Sequence, residues 1–250
     1  MTTPRLVAHR GYARRFPENT LEALSAALTA GACYIEFDIQ MTADLVPVLL
    51  HDADLERTAG RPERLQDLTW SQLSSIDVGQ RTVFGERFAG VRIPTLRSAV
   101  ELLVGYPRAE AFVEVKPESI DRSGIESVLE HVLADIAVVR SRCIIVSSEV
   151  RFVRRARRLG ETRIGLVLRQ WSENARRELV DLAPEFVFLN RRRLPSESEL
   201  WRGPWSWVIY EVVSPVEALN LGTRGVDLVE TMAIGEMLAD PVLGERGCGG

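Results

Sequence analysis

Tyr34-Ile35-Glu36-Phe37-Asp38-Ile39 reads as a β-strand rich in aromatic and branched residues, yet two of its positions carry carboxylates. Successive side chains of a strand point to opposite faces, so Glu36 and Asp38 share one face while Ile35, Phe37 and Ile39 take the other. The apolar flanks favour a central strand over a solvent-facing edge. Charges on a buried strand are costly unless paired or bound to a metal. A parallel barrel accommodates this pattern: the apolar set faces a helix ring, and the charged set points to the axis near the strand ends.

Outward from this segment, strand and helix signals alternate. Further β-type runs are Leu6–Ala8, Phe112–Val115, Cys143–Val146, Ile164–Leu168, Phe186–Leu189, Trp207–Val213 and Val226–Val229. Helical patterns lie between most of them, at Leu21–Leu28, Ser98–Val104, Ile125–Ile136, Phe152–Leu159, Ala175–Leu182 and Val216–Leu221. Asn19 and Thr20 read as caps of the first helix. This rhythm predicts an α/β chain, a (β/α)8 TIM barrel spanning residues 1–250 as one domain. An open doubly wound sheet is the alternative, but no Gly-rich dinucleotide turn supports it. The rhythm breaks once, after the second strand. Pro47–Leu50 forms a hairpin arm, and a small insertion of about 53–94 follows, with a short helix signal at Leu68–Ile76. Insertions after barrel strands lie at the C-terminal face, where selectivity is built.

Three more segments place polar chemistry at strand ends: Val7-Ala8-His9-Arg10-Gly11, Leu50-His51-Asp52 and Phe112-Val113-Glu114-Val115-Lys116-Pro117. Strand parity puts Glu114 and Lys116 on one face. Glu36, Asp38 and Glu114 converging at the barrel mouth form an oxygen-donor set for Mg²⁺ or Ca²⁺. Zinc is disfavoured by the few histidines and the absence of a cysteine motif. His9 and His51 suit acid–base work. Arg10 and Lys116 add positive charge, so the ligand should be an anion, and the set meets the needs of phosphoryl chemistry. His131, in a helix without a partner motif, reads as surface.

Bulk properties permit an enzyme and exclude little else. At 250 residues and 46% apolar, the chain can bury a large core. Lys and Arg number 31 against 35 Asp and Glu, so no basic field advertises nucleic acid. Arg151, Arg154, Arg155 and Arg158 share a helical face, which with Arg191, Arg192 and Arg193 reads as a solvated exterior, since no aromatic interleaving supports strand binding. No apolar run approaches the roughly 20 residues of a membrane span. Cys33, Cys143 and Cys248 lack metal-ligand spacing, and Met1 to Arg5 shows no secretory leader pattern. A soluble, reduced, cytoplasmic protein is the expectation.

In order and approximate spacing, His9-Arg10-Gly11, Pro17-Glu18-Asn19-Thr20, Glu36-Phe37-Asp38, Pro47-Val48 with His51-Asp52, and Glu114-Val115-Lys116 resemble the glycerophosphodiester phosphodiesterases. Ile93-Pro94-Thr95-Leu96, Val146-Ser147-Ser148 and Gly225-Val226-Asp227 extend the resemblance over nearly the whole chain. The resemblance implies a metal-dependent hydrolase of lipid and glycerol metabolism, cleaving small glycerophosphodiesters to glycerol 3-phosphate and an alcohol. It makes Glu36, Asp38 and Glu114 metal ligands, His9 and His51 base and acid in either order, and Arg10 and Lys116 holders of phosphate oxygens. Attack by the substrate's own glycerol hydroxyl, through a cyclic phosphate, and attack by water are both open. The alternatives are a phosphodiesterase acting on lysophospholipid or another phosphodiester, and a non-catalytic barrel binding protein. Two stretches depart from the family pattern. Tyr210-Glu211-Val212-Val213 stands where many members carry Trp-Thr-Val-Asn, and Val229-Glu230-Thr231-Met232 where Ile-Ile-Thr-Asp is common. Glu211 and Glu230, late in consecutive strands, are therefore expected to bind substrate, by clamping Arg10 or by meeting a cationic headgroup.

Overall fold

Leu6, Val7 and Ala8 are fully buried, in a strand that must satisfy neighbours on both edges. In the computed structural model, which describes residues 3–160, 162–196 and 199–248, it does so by closing a barrel. The strands are β1 (Arg5–Ala8), β2 (Tyr34–Met41), β3 (Pro47–Leu49), β4 (Asp54–Leu55), β5 (Arg61–Arg64), β6 (Glu110–Val115), β7 (Cys143–Ser147), β8 (Arg163–Leu168), β9 (Phe186–Asn190), β10 (Ser206–Tyr210) and β11 (Leu228–Thr231). Going round from β1, the order is β11, β10, β9, β8, β7, β6 and β2, and β2 pairs back onto β1, every pairing parallel. The fold is the (β/α)8 barrel. β3 adds antiparallel to the far half of β2, pairing Ile39 with Leu49.

Helices Leu21–Thr29, Leu96–Val104, Ile125–Asp135, Val150–Leu159, Glu173–Leu182 and Pro215–Thr223 cover the outside. Their apolar stripes pack on Ile35, Phe37, Ile39, Val113, Val115 and their equivalents on the other strands. The inward faces form a separate core of Val7, Tyr34, Phe112, Ile144, Val146, Phe186, Phe188, Val208 and Leu228. Phe112 anchors it, with ring centroids 4.9 Å from Phe186, 5.1 Å from Phe188 and 5.6 Å from Tyr34. Space there is fully used: a Cβ on Gly165 would sit 3.0 Å from both Phe188 and Val146.

Between β3 and Leu96, the chain makes the β4–β5 ribbon, the short helix Trp70–Leu73 and a loop. Leu55, Leu65, Leu73, Ile76, Val78 and Ile93 bury their own small core against Val48 and Leu50.

Three local expectations are corrected. β10 stops at Tyr210, short of Val213, because Glu211 takes a left-handed φ of 66° that no strand continues. β11 begins at Leu228 and runs to Thr231, two residues later than the apolar run suggested. Cys33 and Cys248 are disulfide-bonded across a separation of 215 residues, so they are not reduced, and Cys143 alone is a free, buried thiol. Among the described residues no helix is long and apolar enough to cross a membrane.

The aromatic interior yields a prediction. Phe112→Ala should lower the free energy of urea unfolding by about 3–5 kcal/mol, the range for deleting a closely packed aromatic side chain. A loss below about 1 kcal/mol would show that the interior collapses around the void.

Candidate active site

The strand alternation that fills the barrel also builds its mouth. Moving two residues along from each inward apolar side chain, Val7 gives way to His9, Tyr34 to Glu36, Phe112 to Glu114, Val208 to Tyr210 and Leu228 to Glu230. Asp38, two further on β2, sits directly opposite Glu114 on β6. The polar cluster thus rests on an aromatic floor at the C-terminal ends of the strands. Beside it opens a cleft of about 680 Å³, lined among others by His51, Arg57, Glu114, Lys116, Ser148, Arg169, Arg193 and Tyr210.

His9 continues β1 by donating its backbone N–H to Thr231 O at 2.9 Å. The chain then turns through left-handed conformations at Arg10 (φ 55°) and Gly11 (φ 78°). Only glycine fits the second position, since a Cβ would lie 2.5 Å from the Ala23 carbonyl carbon. This turn aims the Arg10 N–H at Glu36 Oε2, 3.0 Å away. The Arg10 guanidinium donates to Glu18 at 2.8 Å and lies 3.0 Å from Asp38 Oδ2.

Asp38 is buried and surrounded. Asn19, itself left-handed at φ 55°, donates to Oδ2 at 2.9 Å and accepts the Asp38 backbone N–H at 3.1 Å. Lys116 bridges Asp38 at 3.1 Å and Glu114 at 2.8 Å. Burial alone would raise the Asp38 pKa, but Lys116 and Arg10 hold the carboxyl well below its usual range. Burial would likewise lower Lys116 and Arg10, and the facing carboxylates push both upward instead. All three are charged at neutral pH.

His51 follows β3, and its Nδ1 lies 2.6 Å from Asp52. Arg57 from the insertion contacts Asp52 at 2.6 Å and grips both oxygens of Glu18 at 2.6 and 2.8 Å. Gln40, fixed by Ser119, donates to the backbone carbonyls of His51 and Asp52. A continuous chain of ion pairs and hydrogen bonds therefore runs from His51 through Asp52, Arg57, Glu18, Arg10, Asp38 and Lys116 to Glu114. The hydrogen bond with His51 lowers the Asp52 pKa. Burial opposes ionisation of Glu18, but the hydrogen bonds from Arg57 and the charge of Arg10 bring its pKa down to about 2.

His9, Glu36 and Glu230 are different. His9 Nε2 lies 4.0 Å from Glu36 Oε2, and burial with the nearby Arg10 charge lowers the His9 pKa to about 3. Burial and mutual repulsion with the other carboxylates raise Glu36 and Glu230 well above the usual range. His9 Nδ1, Glu36 Oε1 and Glu230 Oε1 are buried with no hydrogen-bond partner. Orphaned polar atoms at this density fit a bound cation. Ligand atoms of Glu36, Asp38 and Glu114 lie within 4.8 Å of one another, as do those of His9, Glu36 and Glu230. The first set offers only oxygen, which suits Mg²⁺ or Ca²⁺.

Of the residues singled out from the sequence, His9, Arg10, Glu36, Asp38, Glu114, Lys116 and Glu230 are brought together, with His51 at the edge. Glu211 is not. Tyr210 takes the inward position, so the next residue points out, half-exposed and 3.8 Å from Arg192. The expected clamp of Arg10 between Glu211 and Glu230 is corrected accordingly: Glu18 and Asp38 hold that guanidinium. Thr20 alone caps the first helix, accepting from Ala23 N, while Asn19 serves Asp38. Sequence reasoning assigned no role to Glu18 or Arg57. Arg57 carries no spacing signal, because only the fold of the insertion brings it over Glu18.

Comparison with known proteins adds an independent finding. Residues 9–198 match the model of the glycerophosphoryl diester phosphodiesterase family. A glycerophosphodiester phosphodiesterase of Caldanaerobacter subterraneus subsp. tengcongensis is 38% identical over 124 residues, covering 50% of this chain and 50% of that protein. Glycerophosphodiester phosphodiesterase 1 of Bos taurus is 42% identical over 94 residues, 38% of this chain and 28% of that protein. The chain thus spans about half the length, or less, of these curated relatives. Among solved structures, an Oleispira antarctica phosphodiesterase in complex with the product sn-glycerol-3-phosphate superposes with a TM-score of 0.81 at 21% identity, covering 94% of this chain and 95% of that one. The glycerophosphodiester phosphodiesterase of Agrobacterium tumefaciens superposes with a TM-score of 0.71 at 23% identity, covering 94% and 98%. At these identities the structural likeness shows the shared barrel.

The ion-pair chain makes a prediction for stability. With a pKa of about 2 in place of 4.5, the Glu18 carboxylate contributes on the order of 3 kcal/mol at neutral pH, and this is lost as the pH falls from 4.5 toward 2. Glu18→Gln should lower the unfolding free energy at neutral pH by up to that amount, and the gap to wild type should close across the same acid range. A gap that stays constant with pH would show that the loss comes from packing and not from the charge.

Proposed function

This chain belongs to the glycerophosphoryl diester phosphodiesterase family, and from that premise we propose that it hydrolyses small glycerophosphodiesters to glycerol 3-phosphate and an alcohol. The observation that carries this reading is the convergence of Glu36, Asp38 and Glu114 to within coordinating range, beside two histidines and an open cleft. We propose these carboxylates as ligands of Mg²⁺ or Ca²⁺, which when bound would neutralise phosphate charge in the transition state.

The side chains divide the remaining work. Arg10 and Lys116, both charged, offset the carboxylates and leave the cleft able to take an anion. His9, buried against Glu36 at the end of β1 with its Nδ1 unpartnered, is placed to accept the proton of the attacking hydroxyl. His51 is oriented through Nδ1 by Asp52 and stands at the cleft wall, placed to give a proton to the departing alcohol oxygen. The attacking oxygen, from water or from the substrate's own glycerol hydroxyl, forms the new P–O bond as the P–O bond to the alcohol breaks. In the second case water then opens the cyclic phosphate to give glycerol 3-phosphate. Arg57, tied to both Asp52 and Glu18, couples the histidine to the Arg10 side of the site. Arg169 and Arg193 on the far wall, with Glu211 turned outward, favour a neutral or anionic alcohol group over a cationic one. The Cys33–Cys248 bond weighs against the cytoplasmic setting expected from the sequence, because disulfides persist mainly in oxidising compartments.

Release of glycerol 3-phosphate from glycerophosphoglycerol tests the reading. Chelation should abolish turnover, and Mg²⁺ or Ca²⁺ should restore it. His51→Ala should lower kcat on the order of 10²–10⁴-fold in the metal-loaded protein. Undiminished turnover after exhaustive chelation would falsify the metal-dependent account, and a His51→Ala protein with wild-type kcat would remove His51 from the chemistry.

A further inference from the structure

Glu230 belongs to none of the ion pairs that organise the site. It projects from β11 into the barrel, 3% exposed, and its Oε1 makes no hydrogen bond. Its neighbours His9 and Glu36 share the anomaly, each buried with one unpartnered atom, His9 Nδ1 and Glu36 Oε1. Three buried side chains, each with an unpartnered polar atom, are costly in an interior that otherwise pairs its charges, and one ligand atom from each lies within 4.8 Å of the others. A proton shared between Glu36 and Glu230 would give one of their Oε1 atoms a hydrogen bond, and both atoms lack one. A cation satisfies all three side chains at once.

We infer that His9, Glu36 and Glu230 form a second divalent-cation site, joined to the first through Glu36. Glu36 belongs to both ligand sets, and within each set the donor atoms lie within 4.8 Å of one another. A carboxylate shared by two sets is the arrangement of two-metal centres, whose ions sit about 3.5–4 Å apart. The two sets differ in chemistry. Glu36, Asp38 and Glu114 supply oxygen alone, whereas the second set adds an imidazole, which selects Mn²⁺ or Zn²⁺ over Ca²⁺. The inference rests on the metal-dependent reading of this same site and adds a consequence. Occupancy of the second position takes up His9, the proposed proton acceptor, so the two-cation form turns over more slowly than the one-cation form.

Mn²⁺ binding to chelator-treated protein separates these claims, measured by equilibrium dialysis and by electron paramagnetic resonance. Wild type should take up two ions per chain, with a spin-coupled spectrum when both positions fill. Glu230→Gln and Glu114→Gln should each bind one ion fewer, with uncoupled spectra, and circular dichroism should confirm their folding. With glycerophosphoglycerol as substrate, the wild-type rate should rise with the first equivalent of Mn²⁺ and fall as the second binds. One ion per chain in wild type, or two in both wild type and Glu230→Gln, would overturn the second site. A rate that climbs through the second equivalent would overturn the inhibitory consequence. Two coupled ions without any product release would leave the second site standing and defeat the hydrolysis reading instead.

Discussion

Asp38 is the buried charge around which the site is arranged. One carboxylate, almost wholly removed from water, accepts from Asn19, meets Lys116 at 3.1 Å and lies 3.0 Å from Arg10. Each contact comes from a different part of the chain, so ionised Asp38 ties β2 to the β1 turn, to the end of β6 and to the segment leading into the first helix. Breaking a buried pair of this kind leaves an uncompensated charge and costs roughly 3–5 kcal/mol. The two left-handed residues Arg10 and Asn19 are held by the same contacts, which ties local backbone strain to this one carboxylate. Asp38 itself faces Glu114 across the β2–β6 register, which puts the cations it recruits beside the carboxylates of the candidate metal site.

The barrel makes such an arrangement affordable by separating two environments along each strand. Lower inward positions are filled by Phe112, Phe186 and Phe188, with Gly165 leaving room for the Phe188 ring. Upper inward positions carry the ionisable groups. The aromatic floor excludes water from below and strengthens every charge interaction above it. Low polarity has an opposite effect on groups without a counter-charge: Glu36 and Glu230 are driven toward their neutral forms while Asp38, with Lys116 and Arg10 against it, is held ionised. The contrast between these carboxylates comes from their partners, since all three are buried.

Strand parity explains why so much of the site was legible in the sequence. Glu36 with Asp38, and Glu114 with Lys116, sit two residues apart on strongly apolar runs, and period-two alternation is enough to bring each pair to the barrel axis. His9 and His51 were visible as polar residues ending such runs. What stayed hidden depends on long-range geometry or on where a strand stops. Arg57 reaches Glu18 only because the insertion folds back onto the segment that precedes the first helix. Glu211 looked equivalent to Glu230, but its positive φ ends β10 one residue earlier and turns the side chain outward. Asn19 carried a cap signature, and tertiary contact with Asp38 claimed its amide instead. Cys33 and Cys248 lie 215 residues apart and meet only through the closed fold.

The central claim is that Glu36, Asp38 and Glu114 hold a divalent cation against a bound phosphate, and crystals grown with Mn²⁺ and glycerol 3-phosphate test it most directly. Anomalous difference density at the manganese edge should place an ion in contact with those three carboxylates, and a phosphate oxygen of glycerol 3-phosphate should contact both the ion and the Arg10 or Lys116 side chain. Glycerol 3-phosphate bound in the cleft with no anomalous peak among Glu36, Asp38 and Glu114 would contradict the account.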